Sequence, residues 1–447
     1  MYIPDFALIV LKKLNDSGYE SFLIGGCVRD YLMGVEPKDY DVTTNASIEE
    51  IEAVFSDFKV IETGAQHGTV TVISDGNHVE VTTYRIDGTY SDGRHPDSVI
   101  FSSNIRDDLS RRDFTVNSMA YSPRDGFVDA FDGRRDINNK IIRCVGNPDK
   151  RFEEDALRIL RALRFSSTLE FSIEEETSRS IHKNKHLLGR LAKERITSEF
   201  FQLVCGKNAA AVLREYSDIA TEIIPTLSDM YGFPQDNPYH IYDVWEHTLR
   251  VIENAPPTAK MRMAALLHDI GKPHCKTFDE KWVGHFYGHA DISAEISRDI
   301  FIKYLRTDRH TADEIINLVK NHGENFTPSR KIIRRRLVKY GEKTARQILD
   351  LSRADIMGMS PKYSCRLAEL DRAEEILDGI ISEQSCLSVK NLAVNGRDLM
   401  AVGIENGKIM GNILNKLLNE VCDETLINEK EALTKRAIEL YKVALSK

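Results

Sequence analysis

The distribution of hydrophobic and polar positions divides the 447-residue chain into a mixed first third and a helical remainder. Before about residue 150, short runs rich in Val, Ile, Thr and Tyr alternate with helical segments, and "SFLI" (21–24), "GTVTVI" and "HVEVTTYR" (78–85) are typical of strands in one sheet. After that point apolar residues recur with helical period, as in "EEDALRILRALRF". The pattern predicts an α/β head followed by an all-α body.

Three segments interrupt these patterns. Residues 85–99 are dense in Gly, Asp and Ser, which predicts a mobile loop. "NAPPTAK" (254–260) predicts a break between helices, and residues near 385–395 predict a linker.

Composition narrows the class of protein. The hydrophobic content of 42% and charged content of 29% are typical of a soluble globular protein, and the sequence predicts neither a membrane span nor a signal peptide. Seven scattered cysteines without a Cys-x-x-Cys pair predict reduced thiols in a cytoplasmic protein. The net charge of −9 disfavours general attraction to nucleic acid, but arginines cluster at 111–113, 158–164 and 329–343. Each cluster taken alone could equally be a solvated helix face.

Two features of the head suggest phosphate chemistry. Gly25 and Gly26 follow a predicted strand and precede a predicted helix, where backbone N–H groups can approach a phosphate, although such a pair can also be a simple turn. Asp39 and Asp41 would point to one face of the next strand, and two carboxylates in one cleft can hold two Mg²⁺ ions. The glycine patterns of dinucleotide-binding folds and Walker ATPases do not match this turn.

The string "FLIGGCVRDYLMGVEPKDYDVTTNA" resembles the class II tRNA nucleotidyltransferases, the CCA-adding enzymes of the DNA-polymerase-beta-like superfamily, and bacterial poly(A) polymerases share it. The resemblance continues in family order through "DDLSRRDFTVNSMAY", "FVDAFDGRRDINNKIIRCVG", "RFEEDALRILRALRF" and "ERITSEF", so it covers most of residues 20–205. It implies a head with a small mixed sheet. It also implies addition of CMP and AMP, from CTP and ATP, to the 3′ end of tRNA with release of pyrophosphate.

The resemblance also implies roles for individual residues. Asp39 and Asp41 would be the catalytic carboxylates that bind Mg²⁺, and Glu80 on a neighbouring strand is a third candidate. Asp113 would either orient nearby arginines or form a structural pair. The residues implied as contacts to the triphosphate, ribose and phosphate are Gly26, Arg29, Arg111 and Arg112.

The segment "EEDALRILRALRF" carries the predicted base specificity. Helical spacing would place Asp155, Arg158 and Arg161 on one face. A fixed carboxylate and a fixed guanidinium can pair with the edges of cytosine and adenine, whereas guanine and uracil would leave buried polar groups unpaired. The resemblance implies that Asp155 and Arg158 select CTP and ATP, while Arg161 and Arg164 bind phosphate or support the site.

A second group of polar residues lies in the predicted helical body. "VWEHTLRVI" (244–252), "HDIGKP" and "RADIMG" resemble the motifs of the HD phosphohydrolase superfamily, although a single His-Asp pair on a helix is commonly structural. Imidazole with carboxylate suits a divalent transition metal, whose bound water could attack a phosphoester. The implied metal ligands are His247, His268, Asp269, His289, His322 and Asp355.

These features predict four domains. They are a nucleotidyltransferase head (1–145), a helical neck with the base-recognition helix (146–225), an HD domain (226–380) and a tRNA-binding helical tail (381–447). In the tail, the turn "GIENGKIMG" places Lys408 before a helix, where it would contact a nucleic-acid backbone or only join two helices.

The sequence leaves three alternatives to CCA addition open. The protein could add only A, to tRNA or as a poly(A) polymerase. It could be an HD phosphohydrolase whose head senses a nucleotide, or an inactive RNA-binding module.

Overall fold

The structure is a computed structural model that describes residues 1–64, 68–88, 98–383 and 388–445. The chain divides into two compact units, one formed by Met1–Pro225 with Ile302–Thr307 and the other by Thr226–Phe301 with Asp308–Lys447. The finer division into four domains remains a prediction.

The strands of the first unit belong mainly to one sheet. In the described part of this unit the strands before residue 130 are β1 (Ser21–Ile24), β2 (Asp41–Thr44), β3 (Lys59–Gly64), β4 (Thr69–Ser74), β5 (Asn77–Thr83), β6 (Arg85–Asp87), β7 (Val99–Phe101), β8 (Met119–Ser122) and β9 (Gly126–Asp129). Seven of them form a sheet in the order β3-β4-β5-β2-β1-β8-β9. The β2–β5 pair is parallel and the other pairs are antiparallel, which confirms the predicted mixed sheet.

Alternation along β4 shows why this sheet forms. Val70 and Val72 are buried while the intervening threonines are half exposed, so one face of the strand enters the core. The N-terminal helix, Asp5–Asp16, contributes buried Val10, Leu11 and Leu14 to the core. Of the candidate metal ligands in the head, Asp41 and Glu80 lie on strands of this sheet.

The predicted loop over residues 85–99 is partly wrong. Its two ends pair as the antiparallel strands β6 and β7, and residues 89–97 lie outside the described part of the chain. Ile86, Val99, Ile100 and Phe101 are β-branched or aromatic residues, which favour the extended conformation of this separate strand pair.

Helices make up most of the remaining first unit. Its α-helices are α1 (Asp5–Asp16), α2 (Gly26–Leu32), α3 (Ile48–Val54), α4 (Ile105–Ser110), α5 (Gly133–Asn139), α6 (Pro148–Glu154), α7 (Leu157–Leu169), α8 (Glu175–Asn184), α9 (Lys193–Cys205), α10 (Ala209–Glu215) and α11 (Ser217–Ile223). A short parallel pair joins β10 (Ile141–Ile142) to β11 (Ser172–Ile173).

The second unit is helical, as predicted, apart from one ribbon formed by β12 (Thr277–Phe278) and β13 (Gly284–His285). The predicted break at 254–260 is confirmed by the gap between α12 and α13, and part of the predicted linker, residues 384–387, lies outside the described residues. Every described helix is too short or too polar to span a bilayer. The helices are α12 (Val244–Asn254), α13 (Ala259–Leu267), α14 (His289–Lys303), α15 (Arg309–Asn321), α16 (Arg330–Gly358), α17 (Cys365–Ser382), α18 (Gly396–Ala401), α19 (Lys408–Cys422) and α20 (Lys430–Leu445).

The arginine-rich start of α16 is neutralised by carboxylates within the second unit. Arg334 lies 2.6 Å from Glu424, Arg335 lies 2.5 Å from Asp423, and other cations of the same segment pair in the same way. These exposed pairs each contribute little to stability, but they leave this segment without a large positive field. The interpretation as a helix face balanced by acidic neighbours therefore fits better than a phosphate-binding patch.

Candidate functional site

Two carboxylates lie side by side in the middle of the head sheet. Asp41 begins β2, and its backbone pairs with Ile24 of β1 on one side and with Glu80 of the parallel strand β5 on the other. Neighbours in register on adjacent strands project from the same face of a sheet. Glu80 is therefore adjacent to Asp41, where the sequence placed a third carboxylate.

Asp39 lies outside the strand, so the prediction that both aspartates occupy one strand was wrong. The β1–β2 ladder begins at the Ile24–Asp41 pair because Gly25 turns the chain away after Ile24. Asp39 therefore has no partner on β1 and is exposed just before β2. It nevertheless remains close enough to Asp41 to act on it electrostatically.

The charges around Asp41 favour a bound cation. Burial, together with the carboxylates of Glu80 and Asp39, raises the pKa of Asp41 to about 6, and only Arg112 among its main neighbours lowers it. Carboxylates that repel each other in this way are stabilised when a divalent cation lies between them. An all-oxygen donor set is the kind that Mg²⁺ prefers, so these residues fit the predicted metal.

The Gly-Gly turn brings the backbone against an arginine. Gly25 has φ +76°, a conformation that other residues rarely adopt, and a Cβ at this position would lie 3.1 Å from Nη1 of Arg112. Gly26 starts α2, and a Cβ there would lie 3.7 Å from Nη2 of Arg29. The turn thus lies close to both Arg29 and Arg112.

A buried aspartate that sequence reasoning missed orients Arg111 and Arg112. Oδ1 of Asp108 accepts hydrogen bonds from Nε and Nη2 of Arg111, at 3.0 and 2.7 Å, and its Oδ2 accepts one from Arg112 at 3.2 Å. Although burial raises the pKa of Asp108, the two guanidinium groups lower it below its usual value. The i,i+3 and i,i+4 spacing in "DDLSRR" was the signal that could have found it.

Asp113 belongs to a different set of contacts. Nη1 of Arg29 donates to Oδ1 of Asn117 at 2.7 Å, and Nδ2 of Asn117 donates to Oδ1 of Asp113 at 3.2 Å. Nε and Nη2 of Arg161 donate to Oδ2 of Asp113. Of the two roles predicted for Asp113, the contacts match the structural pair. A continuous chain of hydrogen bonds runs from Arg29 to α7.

Two arginines of α7 and one of α2 lie close to one aromatic ring. The guanidinium carbons of Arg29, Arg161 and Arg164 lie 5.2, 5.4 and 4.1 Å from the centre of the Phe165 ring. Arg164 also donates to Glu199 of α9 at 2.5 Å. Phe165 and Glu199 therefore hold the predicted phosphate-site arginines in defined positions.

The predicted single face with Asp155, Arg158 and Arg161 was wrong, because two helices meet at Asp155. Helix α6 ends at Glu154, Asp155 is extended (φ −146°, ψ 104°), and α7 begins at Leu157. Oδ1 of Asp155 accepts a hydrogen bond from the backbone N–H of Leu157, so the carboxylate satisfies an unpaired donor at the start of α7. This hydrogen bond at the start of α7 interrupts the continuous helix that the sequence pattern predicted.

Both predicted base-reading side chains are held by charged partners. Arg195 lies 2.9 Å from Oδ2 of Asp155, and Glu154 lies 2.5 Å from Nη1 of Arg158. Nη2 of Arg158 also donates to the backbone carbonyl of Arg111 at 3.2 Å. The base-reading segment therefore contacts the segment that carries the predicted ribose and phosphate ligands.

In the second unit, all six predicted metal ligands lie together. Oδ2 of Asp269 is 3.3 Å from Nε2 of His247 and 3.1 Å from Nε2 of His268, and its Oδ1 is 3.4 Å from Nε2 of His289. Oδ1 of Asp355 is 3.0 Å from Nε2 of His247. We call this group of residues the histidine cluster. Its six predicted members are His247, His268, Asp269, His289, His322 and Asp355, and the structure adds His240 as a seventh.

The hydrogen bonds of the histidines turn one nitrogen of each towards the cluster. The Nδ1 atoms of His247, His268, His289 and His322 lie 2.7–3.1 Å from backbone carbonyl oxygens. Because a carbonyl only accepts, each Nδ1 carries the proton, and a neutral ring then has an unprotonated Nε2. Fixing the ring through its second nitrogen is typical of metal-binding histidines.

Two observations make this arrangement fit a metal better than an ordinary buried network. Nε2 of His289 and Nε2 of His322 are 3.1 Å apart, although neither can donate to the other when Nδ1 holds the proton. Burial lowers the pKa of His322 to about 4, so that ring is neutral. Nε2 of His247 and of His268 are buried and face carboxylate oxygens of Asp269 and Asp355. A cation bound between these nitrogen and oxygen lone pairs would stabilise the arrangement.

Sequence reasoning missed two residues here. They are His240, the seventh donor of the histidine cluster, and Lys272, which pairs with Asp269. A ligating nitrogen of His240 lies within 4.8 Å of ligand atoms of His247 and Asp355. Burial and Lys272 lower the pKa of His240 to about 3, and its Nδ1 lies 2.9 Å from Oδ1 of Asn237. Nζ of Lys272 is 2.6 Å from Oδ2 of Asp269. His240 precedes α12 in an irregular segment, where no periodicity marks it.

In the tail, Lys408 is the exposed first residue of α19, after Gly407 with φ 141°. The turn that was predicted there is present. Contact with nucleic acid remains a prediction.

The chain resembles known proteins along its full length. A family model described as the poly A polymerase head domain matches residues 21–143, and one for domain 2 of tRNA nucleotidyltransferases matches residues 274–437. The CCA-adding enzyme of Ligilactobacillus salivarius is 33% identical over 98% of both chains. That of Lactobacillus delbrueckii subsp. bulgaricus is 44% identical over 47% of this chain and 52% of its own.

Solved structures agree with this relationship. The crystal structure of the Bacillus stearothermophilus CCA-adding enzyme in complex with CTP matches with a TM-score of 0.75 and 28% identity, covering 100% of each chain. The fold, the order of the motifs and the identity over the whole length agree with one another. The chain therefore belongs to the family of CCA-adding enzymes, the class II tRNA nucleotidyltransferases.

Proposed function

We infer that the protein adds CMP and AMP, from CTP and ATP, to the 3′ end of tRNA. The observation that supports this reaction best is the adjacent pair Asp41–Glu80, next to the Gly25 turn and Arg112. Such a group can bind both the triphosphate and the metal ions that phosphoryl transfer requires. Membership of the CCA-adding family supports tRNA as the acceptor.

The roles proposed for the side chains follow from their positions. Asp41, with Asp39 and Glu80, holds Mg²⁺, which when bound activates the RNA 3′-hydroxyl and offsets charge on the leaving pyrophosphate. Arg29 and Arg112, which lie close to the glycine turn, bind the triphosphate with Gly26, and Arg111 binds the ribose or phosphate.

Base selection is assigned to Asp155 and Arg158. Their ion pairs with Arg195 and Glu154 fix both orientations before a nucleotide enters. Fixed donors and acceptors can match cytosine or adenine and leave guanine and uracil with unpaired groups. Arg161 and Arg164, held by Asp113 and Glu199, support the shape of this site.

Extension of a tRNA that lacks its CCA end tests this proposal. With CTP and ATP the wild-type protein should add three nucleotides, and Asp41→Asn should abolish addition while tRNA binding persists. Asp75→Asn, in the exposed turn between β4 and β5, is the matched control and should retain activity. Full activity of Asp41→Asn would support the inactive RNA-binding alternative instead.

We further propose that the histidine cluster binds divalent transition metal and hydrolyses a phosphoester. The inward-facing Nε2 atoms support this second function. In the reaction a water oxygen would bond to phosphorus, the bond from phosphorus to the ester oxygen would break, and that oxygen would take a proton. Elemental analysis of purified protein tests metal binding, and His268→Ala should lose the metal. Equal metal content in both proteins would contradict this proposal.

Other predictions extend the proposal to the cell. The six described cysteines form no disulfide with one another, which supports a cytoplasmic location. We assign tRNA binding to the tail from residue 381 onwards, with Lys408 at the start of α19 as a candidate contact.

A further inference from the structure

A cavity of about 470 Å³ lies beside the histidine cluster in the second unit. His322 and Asp355, two donors of the cluster, form part of its wall, so a ligand in the cavity would reach the metal-binding atoms. Sites for small molecules typically have volumes of roughly 300–1,000 Å³. The cavity is therefore large enough for one nucleotide-sized molecule.

The charged residues that line the described cavity are three carboxylates, Glu324, Asp355 and Glu369, and one arginine, Arg366, near the start of α17. Glu324 is neutralised by Arg336 and Lys339. Arg366 is exposed, and within the described ranges no carboxylate oxygen lies within 4.0 Å of its guanidinium. Arg346 and Arg353 of α16, by contrast, pair with carboxylates of α17. Arg366 is thus available to bind an anion that enters the cavity.

The cavity wall also includes groups that suit an organic molecule. Phe326 and Leu370 are buried apolar residues, and Asn325 offers an amide. A ligand of inorganic phosphate alone would leave these groups without a partner. The lining instead suits a larger molecule that has an apolar part as well as anionic groups.

We propose that this cavity is the substrate site of the histidine cluster and that Arg366 binds a second anionic group of the substrate. The proposal rests on the phosphoester activity proposed above. The substrate class is a nucleotide with two phosphate groups, one at the cluster and one at Arg366. The second phosphate belongs either to a free nucleoside bisphosphate or to the backbone at the end of an RNA. A guanidinium binds such a group through two parallel hydrogen bonds.

Binding of uridine nucleotides to the full-length, Mn²⁺-loaded protein tests the proposal. Uridine nucleotides are used because the head site is proposed to select cytosine and adenine. Binding at the head should therefore not contribute to the measured affinity. Uridine 3′,5′-bisphosphate should bind at least tenfold tighter than uridine 3′-monophosphate or 5′-monophosphate. Arg366→Ala should remove that preference and leave the affinity for the monophosphates unchanged.

Arg372→Ala is the matched control, because Arg372 is exposed on the same helix but does not line the cavity. This variant should keep the tenfold preference. Equal binding of all three nucleotides by metal-loaded wild-type protein, or a preference that survives Arg366→Ala, would overturn the role of Arg366. Absence of Mn²⁺ from the protein would instead overturn the metal site and this proposal with it.

A five-nucleotide RNA with a 3′-terminal uridine phosphate distinguishes the two sources of the second phosphate. Tighter binding of the RNA than of the free bisphosphate assigns the site to RNA ends, and weaker binding assigns it to free nucleotides.

Discussion

Arg161 donates two hydrogen bonds to Oδ2 of Asp113, at 2.8 Å from Nε and 2.6 Å from Nη2. The pair joins the segment after α4 to α7, and Asn117 extends it to Arg29 beside the glycine turn. A change in α7 can therefore alter the position of Arg29, the proposed triphosphate contact, through Asp113 and Asn117.

Asn117→Ala should weaken nucleotide binding without altering base choice. The change removes the acceptor for Nη1 of Arg29, and a lost hydrogen bond to a charged group costs about 1.5–3 kcal/mol. We expect kcat/KM for both CTP and ATP to fall at least tenfold, mainly through KM. Steady-state kinetics on tRNA measures this effect, and the preference for CTP over UTP should persist because Asn117 does not contact Asp155 or Arg158. Asn77→Ala, in the β4–β5 turn, is the control, and an unchanged KM for Asn117→Ala would contradict the prediction.

Asp113→Asn should lower stability at neutral pH but not at acid pH. Burial by itself raises the pKa of Asp113, but interactions with Arg161, Asn117 and Arg158 outweigh it and lower the pKa from 3.8 to about 2. A lowered pKa in the folded state stabilises the protein above pH 4, and this contribution disappears as pH falls towards 2. This lowering of the pKa corresponds to about 2 kcal/mol of folding free energy at neutral pH. We expect the variant to unfold about 4–8 °C lower at pH 7, with the gap closing below pH 4, as measured by circular dichroism. A gap that stays constant with pH would contradict the ionic origin.

Gly25→Ala should impair catalysis more than stability. Its φ of +76° is strained for alanine, and the new methyl group would lie 3.1 Å from Arg112. Gly18 provides a close control, because it has φ +91° and a methyl group added there would meet no atom within 4 Å. We expect both alanine variants to lose about 1 kcal/mol of stability, and only Gly25→Ala to lose tenfold or more in kcat/KM. Equal activity of the two variants would rule out the proposed role of the turn.

His240→Ala should weaken metal binding by the histidine cluster. A ligating nitrogen of His240 is close to those of His247 and Asp355, so its loss should reduce metal affinity at least tenfold. Competition with a chelator, followed by elemental analysis, measures the affinity. His310→Ala removes an exposed histidine of α15 and should change nothing. Wild-type affinity in His240→Ala would show that this residue is not a ligand.

The sequence predicted most of what is set by local pattern. Strand β1, the turn at Gly25 and the start of α2 follow from residues that are contiguous in the chain. The six donors of the histidine cluster were predicted because each lies in a short motif of its own. Glu80 was identified as a candidate because it lies in a recognisable strand and the resemblance implies a third carboxylate on a neighbouring strand; the structure pairs it with Asp41.

The sequence did not predict features that depend on distant partners or on competition between local interactions. Helical period suggested one continuous helix through Asp155, but the capping hydrogen bond to Leu157 ends it. The pairing of Asn117 with Arg29 joins residues 88 positions apart, which no spacing rule indicates. His240 lies in an irregular segment, so only the folded structure brings it to the cluster.

Incubation of the protein with tRNA lacking CCA and one labelled nucleotide at a time is the decisive test of CCA addition. We expect CTP alone to be incorporated at two positions, ATP to be added efficiently only after them, and GTP and UTP not to be used. Failure to incorporate CMP, with efficient addition of AMP, would contradict CCA addition and identify an A-adding enzyme instead.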